Sequence, residues 1–502
     1  MPETELKFAL DPQSCALLRE RLERLGPAER HILHSVYFDT RRHRLKKAGL
    51  ALRMRRDGER WIQTVKAKAK NHGGLQRAEE AEAEMPDAML DLGAIPDARL
   101  QKAVKKALKG RMLHPVCETR MERLQLVIHG PGGAAVEVAL DEGVIAAGPL
   151  SEPFRELELE LKSGPLGALY DLAADLLPDG GAAPSTLSKS ARGYLLAAEG
   201  RIAPEPQPLH AAEVALEPGM QAGEAAAAVF RDCAAQIHAN VGAVRHGSDP
   251  EGPHQLRIGL RRLRAALKLF APLPDADAAD YLEAEARWLG GLAGLQRDLD
   301  VALSDLLDPA AAGGNPALAA LRDQAAKRAA ANRPVLQGIL GTVRVQRFLL
   351  ALGRHAEATG WDSLNGDAQP LAAAALERSW AKAERRARGI AGHDTEARHA
   401  LRKALKLLRY QAEFAAPLHP GKAPAKFLKR LKRLQETFGR MNDIAMLETL
   451  SAEGGPLAPA TPAAAEALAG LLDGLGREAG TQWTAAQGKW DRLRAMPAFW
   501  AE

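Results

Sequence analysis

Glu3, Glu5 and Lys7 alternate with Thr4, Leu6 and Phe8 near the start of the chain. In a strand, successive side chains point to opposite faces, so this stretch presents two carboxylates and an ammonium on one side only. The pattern recurs. In ELELELK, Glu156, Glu158, Glu160 and Lys162 oppose Leu157, Leu159 and Leu161, and in LALRMRR, Arg53 and Arg55 oppose Leu50, Leu52 and Met54. Thr64 and Lys66 share a face of WIQTVKAKA, as do Glu137 and Asp141 in AAVEVALDEG. Arginine and lysine facing an enclosed space bind phosphate oxygens through charge-assisted hydrogen bonds. Carboxylates crowded beside them repel one another unless a hard cation lies between, and Mg²⁺ prefers such oxygen ligands. Together these residues describe a metal–polyphosphate site. A barrel with a solvated, structurally neutral interior accounts for the same pattern, and residue types alone leave both readings open.

A second constellation lies in the other half. HQLRIGLRRLR carries His254, Arg257, Arg261 and Arg264; HALRKALKLLR carries His399, Arg402, Lys406 and Arg409. Both follow spacings of 3, 4 and 3, which align four side chains along one stripe of a helix. Beyond them lie GLQRDLD and GRMNDIA, with 43 residues from His254 to Arg297 and again from His399 to Asn442. Two homologous helical units explain the repeat. Like charges stacked at these spacings destabilise a helix, so the stripe calls for an anionic counterpart. Asp298, Asp300 and Asp443 supply part of it. Yet residues 377–440, which include KFLKRLKR, hold 17 Lys or Arg against 6 Asp or Glu. That excess exceeds what its own segment can pair and points to a polyanion: nucleic acid, an acidic membrane surface or a phosphate polymer. Nucleic acid is disfavoured, because the stripe lacks interleaved aromatics and no groove-reading motif accompanies it.

The elements that must position these groups divide the chain in two. At 502 residues, 46% apolar and 26% charged, it fits two or three globular domains. Residues 1–200 mix alternating stretches with a few helices. Five strands with charge on one face imply a closed barrel with a charged lumen, its apolar outside covered by helices of the same half. Residues 201–219 are proline-rich and read as a linker. From 220 to 502 the period is helical, with the repeat falling at about 220–365 and 366–502. Cys15, Cys117 and Cys233 are far apart and outside any metal-ligand spacing, as expected of buried thiols in a reducing compartment. No secretory leader and no membrane-length apolar run is present, so the chain reads as soluble and cytoplasmic, with no membrane partner.

ETELKF resembles the E-x-E-x-K signature of the CYTH, or triphosphate tunnel metalloenzyme, family. YFDT (Tyr37 to Thr40), LALRMR, TVK ending at Lys66, GGLQRAE, Arg123, VEVALDEG, ELELEL and SKSARGY (Ser188 to Tyr194) follow in the family's order, most like its bacterial inorganic-triphosphatase branch. The resemblance implies an eight-stranded antiparallel tunnel that hydrolyses triphosphates with Mg²⁺ or Mn²⁺. It implies that Glu3, Glu5, Glu158 and Glu160 hold metal, that Glu3, Glu5 and Lys7 are catalytic, and that Lys7, Arg53, Arg55, Lys66, Arg123, Lys189 and Arg192 grip phosphate. Glu137 and Asp141 could instead serve lumen salt bridges. Residues 79–84 are more acidic than the family pattern and receive no role. The second half, from about Met220 to the end, resembles the CHAD, or conserved-histidine α-helical, module. That resemblance implies two four-helix bundles around a basic groove that binds inorganic polyphosphate and its granules through His254, Arg257, Arg261, Arg264, His399, Arg402, Lys406 and Arg409. The expected whole is an α+β multidomain inorganic triphosphatase with a polyphosphate anchor. The alternative is a granule-binding protein whose tunnel is weakly active or inactive; adenylate cyclase ranks lower, since no nucleoside-binding signature stands out.

Overall fold

The computed structural model describes residues 3–501. Nine strands form one antiparallel sheet: β1 (Glu3–Leu10), β2 (Glu29–Asp39), β3 (Leu50–Asp57), β4 (Arg60–His72), β5 (Leu75–Met85), β6 (His114–Gly130), β7 (Ala134–Ala147), β8 (Leu150–Ser163) and β9 (Ala182–Pro184). Their order is β5-β4-β3-β2-β6-β7-β8-β1-β9, and β1 also pairs with β5, so eight strands close into a barrel with β9 appended. The register sets Glu5 beside Glu160 and Lys7 beside Glu158 on β8, and Arg53 beside Thr64 on β4. The period of two therefore survives folding: charges turn inward and the alternate apolar residues outward.

Those outward faces are covered as anticipated. Leu6 and Phe8 share a core with Leu18 and Leu22 of the helix Pro12–Leu25 and with Leu169 and Tyr170 of the helix Gly167–Leu176. Leu50, Leu52 and Val65 pack on Leu100, Val104 and Leu108 of the helix Ala98–Leu108. The helix Lys189–Glu199 behaves differently, because it enters the barrel and forms a floor. Its Leu196 packs with Leu33, Met121, Ile145 and Phe154, which sit on the lumen side of their strands. Small residues make the approach possible: a Cβ on Gly193 would collide with Cys117 Sγ. The YFDT stretch explains itself here. Buried Asp39 accepts from the backbone N–H of Thr40, Leu45 and Lys46 and from the Tyr194 hydroxyl at 2.8 Å, fastening the floor helix to the end of β2.

The chain divides into two compact units, one running to Glu205 plus Gly341–Ala358, the other comprising Pro206–Leu340 and Thr359–Glu502. The proline-rich stretch contributes to both, and the helix Val343–Ala358, encoded between the two basic repeats, belongs with the barrel.

In the second unit the helices Ala222–His246, Glu251–Leu269, Ala276–Val301 and Pro316–Leu340 pack in sequence order, the last returning onto the first. Ala368–Ala387, Thr395–Ala415, Ala423–Ser451 and Pro462–Arg494 repeat the arrangement, closed by Trp380 stacking on Trp490. The fold is therefore the α+β arrangement expected. Among the described residues no single helix is long and apolar enough to cross a membrane.

Candidate functional site

Inside the barrel lies a cavity of about 800 Å³, lined by Glu3, Glu5, Lys7, Arg53, Arg55, Lys66, Arg123, Glu158, Glu160 and Lys189. All the residues singled out for metal, and all but one of those for triphosphate, thus meet in one space. The exception is Arg192. It is buried, donates to Glu156 at 2.6 Å and braces the floor helix against β8.

The cavity wall has two kinds of carboxylate. Asp141, Glu156 and Glu158 lie close enough together to hold a metal ion. They are already neutralised: Lys189 reaches all three at 2.7–2.8 Å, Arg123 grips Asp141 at 2.7 Å and Glu158 at 2.6 Å, and Lys7 adds a contact to Glu158 at 2.8 Å. Burial would raise the pKa of Glu158, but Lys189, Lys7 and Arg123 outweigh it and hold that carboxyl well below the usual range. This group locks the floor and orients Lys7.

Glu3, Glu5 and Glu160 are under-compensated. Lys66 lies 2.6 Å from Glu3, Lys7 2.9 Å from Glu5 and Lys162 2.8 Å from Glu160. Burial nevertheless pushes all three carboxyls upward, helped by Glu80 at Glu3, by Glu158 and Glu3 at Glu5, and by Glu3 and Glu137 at Glu160. These three carboxyls line one polar cavity short of positive charge, though among the described residues it is Asp141, Glu156 and Glu158 whose oxygens come within ligand distance of one another.

The cations show the complementary asymmetry. Arg53 lies 3.4 Å from Glu80 and 3.3 Å from Glu82, and Lys66 lies 3.0 Å from Glu80. Among the described residues no carboxylate lies within ion-pair distance of Arg55, and its Nε has no hydrogen-bond partner. Burial, then Arg53 and Arg123, push the Arg55 guanidinium down to about 10. A half-buried, unpaired arginine beside two others is an anion site waiting for its ligand.

Sequence reasoning left out several lining residues. Glu80 and Glu82 occupy the lumen face of β5; their shared parity was readable, but not that they would engage Arg53 and Lys66. Gln76 donates to Glu5 at 3.0 Å, and exposed Lys46 lies over the Tyr194 ring at 4.8 Å. Glu137 lines the cavity and meets Lys162 at 3.2 Å, while fully buried Asp141 serves the salt-bridge lock.

In the second unit the two basic stripes face each other from the helices Glu251–Leu269 and Thr395–Ala415. Their outer members are paired: Arg257 with Asp298 at 2.7 Å, Arg264 with Glu283 at 3.6 Å and Arg409 with Glu413 at 3.3 Å. Among the described residues, Arg261, Arg402 and Lys406 have no carboxylate at ion-pair distance. Burial lowers all three, with Arg402 at about 10 and Lys406, further repelled by Arg261, Arg402, Arg257 and Arg409, at about 6. His254 falls to about 4 through burial and Arg297, and exposed His399 is lowered by burial and Lys403. Both histidines are therefore neutral at pH 7 in the ligand-free protein.

Both halves of the chain resemble known proteins. Residues 1–194 match the CYTH domain model, and residues 228–452 match that of the CHAD domain. An inorganic triphosphatase of Haemophilus influenzae is 30% identical over 203 residues, 39% of this chain and 55% of that protein, so the match spans about half of the relative's length. An uncharacterised protein of Mycobacterium tuberculosis is 28% identical over 415 residues, 76% of this chain and 75% of its own. The crystal structure of the CHAD domain from the plant Ricinus communis superposes with a TM-score of 0.51 at 32% identity, covering 58% of this chain and 98% of that one. The barrel with its acid–base lumen is a CYTH domain, and the helical repeat that follows it is a CHAD domain.

Proposed function

We propose that the chain hydrolyses inorganic triphosphate or a related triphosphate in the barrel and binds inorganic polyphosphate through its helical unit. The observation that carries the first part is the juxtaposition of unpaired, half-buried Arg55 with the under-compensated carboxyls Glu3, Glu5 and Glu160 in one cavity. The triphosphatase relative supports the same reading. Mg²⁺ or Mn²⁺ held by these three carboxyls would neutralise phosphate charge and polarise the phosphorus. Glu158 borders that group, but three cations already engage its oxygens. Arg55 anchors the phosphate chain, with Arg53, Lys66 and Arg123 alongside. Lys7, locked between Glu5 and Glu158, fixes one end of the chain for in-line attack. Carboxylate oxygens of Glu3 and Glu5 left free by the metal would orient the attacking water.

The second part rests on Arg261, Arg402 and Lys406, two guanidiniums and an amine without carboxylates in a half-buried stripe. We extend this reading to granule association and a cytoplasmic location. One observation favours the binding-only alternative: Arg53 and Lys66 are already neutralised by Glu80 and Glu82, which weakens their claim on substrate. Phosphate release from tripolyphosphate, measured after chelation and again after adding Mg²⁺ or Mn²⁺, separates the two. We expect release to vanish with the chelator and return with metal. Metal-replete protein that binds long-chain polyphosphate but releases no phosphate from tripolyphosphate or ATP is a binding protein.

A further inference from the structure

The helix Val343–Ala358 lies between the basic repeats in sequence but packs as part of the barrel unit. Its apolar side covers the back of β1. Leu350 joins the core that contains Leu6 and Phe8, the outward residues alternating with Glu3, Glu5 and Lys7. Leu349, Leu350 and Gln346 border a narrow space shared with Leu6, Phe8 and Pro184. The Gln346 side chain is buried and used twice: its Oε1 accepts from Ala182 N at 3.0 Å, and its Nε2 donates to Leu177 O at 2.9 Å. Arg354 meets Asp171 at 2.8 Å, and Arg77 on β5 donates to Glu357 at 3.3 Å. Gly353 allows the approach, since a Cβ there would lie 2.8 Å from the Tyr170 ring.

These contacts fall on the segments that hold β1 in place. Strand β9, fixed by Gln346 at Ala182, pairs with Phe8–Leu10, and Ser185 N donates to Lys7 O at 2.8 Å. On the other side Lys7 N donates to Gly74 O at 3.0 Å, in the β4–β5 turn that precedes Arg77. The backbone of Lys7 is therefore clamped between two segments that this helix grips, and the outer face of the same strand rests on the helix.

We propose that the helix Val343–Ala358 is a positioning element of the barrel site, setting the placement of Glu3, Glu5 and Lys7 from behind. The proposal rests on the hydrolase reading for its kinetic consequence, but not for its structural one. A single domain boundary near residue 200 would cut off part of the site's support.

The test uses the full-length protein with Gln346→Ala, and separately Leu350→Ala, with Leu350→Met as the conservative control. Amide hydrogen exchange over Glu3–Leu10 in metal-free protein should speed by about tenfold or more in the alanine variants, while exchange in Glu251–Leu269 stays unchanged. With Mg²⁺, kcat for tripolyphosphate should fall about tenfold with KM within about twofold, and Leu350→Met should restore it. If either alanine variant lowers the unfolding temperature yet leaves β1 exchange and kcat at wild-type values, the helix is only a structural cover and the proposal fails. If Leu350→Ala does not fold, Gln346→Ala, which removes only two hydrogen bonds, decides alone. Faster β1 exchange in the alanine variants, alongside a wild type that releases no phosphate, would overturn the hydrolase reading and leave the positioning role standing.

Discussion

Arg55→Ala should lower kcat/KM for tripolyphosphate by about 10²-fold, the scale seen when one pre-organised charge is removed from a transition state. The same variant should unfold at the wild-type temperature or slightly above it. Both halves follow from one geometry. Arg55 sits half-buried beside Arg53 and Arg123 without a carboxylate of its own, so in the ligand-free protein it is a repulsive element and its guanidinium is pushed down to about 10. A phosphate chain supplies the missing charge. Removing Arg55 relieves repulsion in the empty cavity and removes an anchor in the filled one. Arg123 makes the contrast: it holds Asp141 and Glu158, so Arg123→Ala should cost stability as well as turnover. Wild-type turnover in Arg55→Ala would show that the unpaired guanidinium does not face substrate.

Polyphosphate binding by the helical unit should weaken as pH rises above about 6, by up to about tenfold per pH unit for each proton taken up on binding. The group responsible is Lys406, held to about 6 by burial and by Arg261 and Arg257 on one helix and Arg402 and Arg409 on its own. The nearby acids are engaged elsewhere, Asp298 by Arg257 and Glu413 by Arg409. Near pH 7 the free protein therefore carries mostly neutral Lys406. A bound polyanion favours the ammonium, so binding takes up a proton. Below about 6 the amine is protonated before binding, and its contribution to the slope disappears; at higher pH each bound chain must draw its proton from a scarcer supply. His254, lowered to about 4, adds proton uptake of the same sign at more acidic pH. Lys406→Arg keeps its charge throughout this range and should flatten the profile between about pH 6 and pH 8. Titration with long-chain polyphosphate at fixed ionic strength reads this directly. Equal slopes for wild type and Lys406→Arg would remove Lys406 from the binding site.

The barrel was legible because one-sided alternation is a two-residue signal and recurs in strand after strand. Glu3, Glu5 and Lys7 declare their face within six residues. Which partner each would find was hidden, because ion pairs such as Lys189 with Glu156, or Arg53 with Glu82, join elements far apart in sequence. Arg192 illustrates the limit: motif order put it with the phosphate-gripping cations, whereas its placement on the inner side of the floor helix turns it to Glu156. The spacing of the basic stripes was equally plain, yet nothing local separates paired Arg257 from unpaired Arg261. The helix Val343–Ala358 was the least legible element. Its VRVQRFLLALGRHAEA pattern is that of any amphipathic helix, and which surface its apolar side covers is a matter of tertiary packing alone.

The measurement closest to the central claim is phosphate release from tripolyphosphate by wild type and by Glu3→Gln/Glu5→Gln, with Mg²⁺ or Mn²⁺, beside a titration of both with long-chain polyphosphate. The expected result is metal-dependent release by the wild type, loss of at least about 10²-fold in the pair, and unchanged polymer binding. Equal release by both proteins would contradict the assignment of these carboxyls to the chemistry of the barrel.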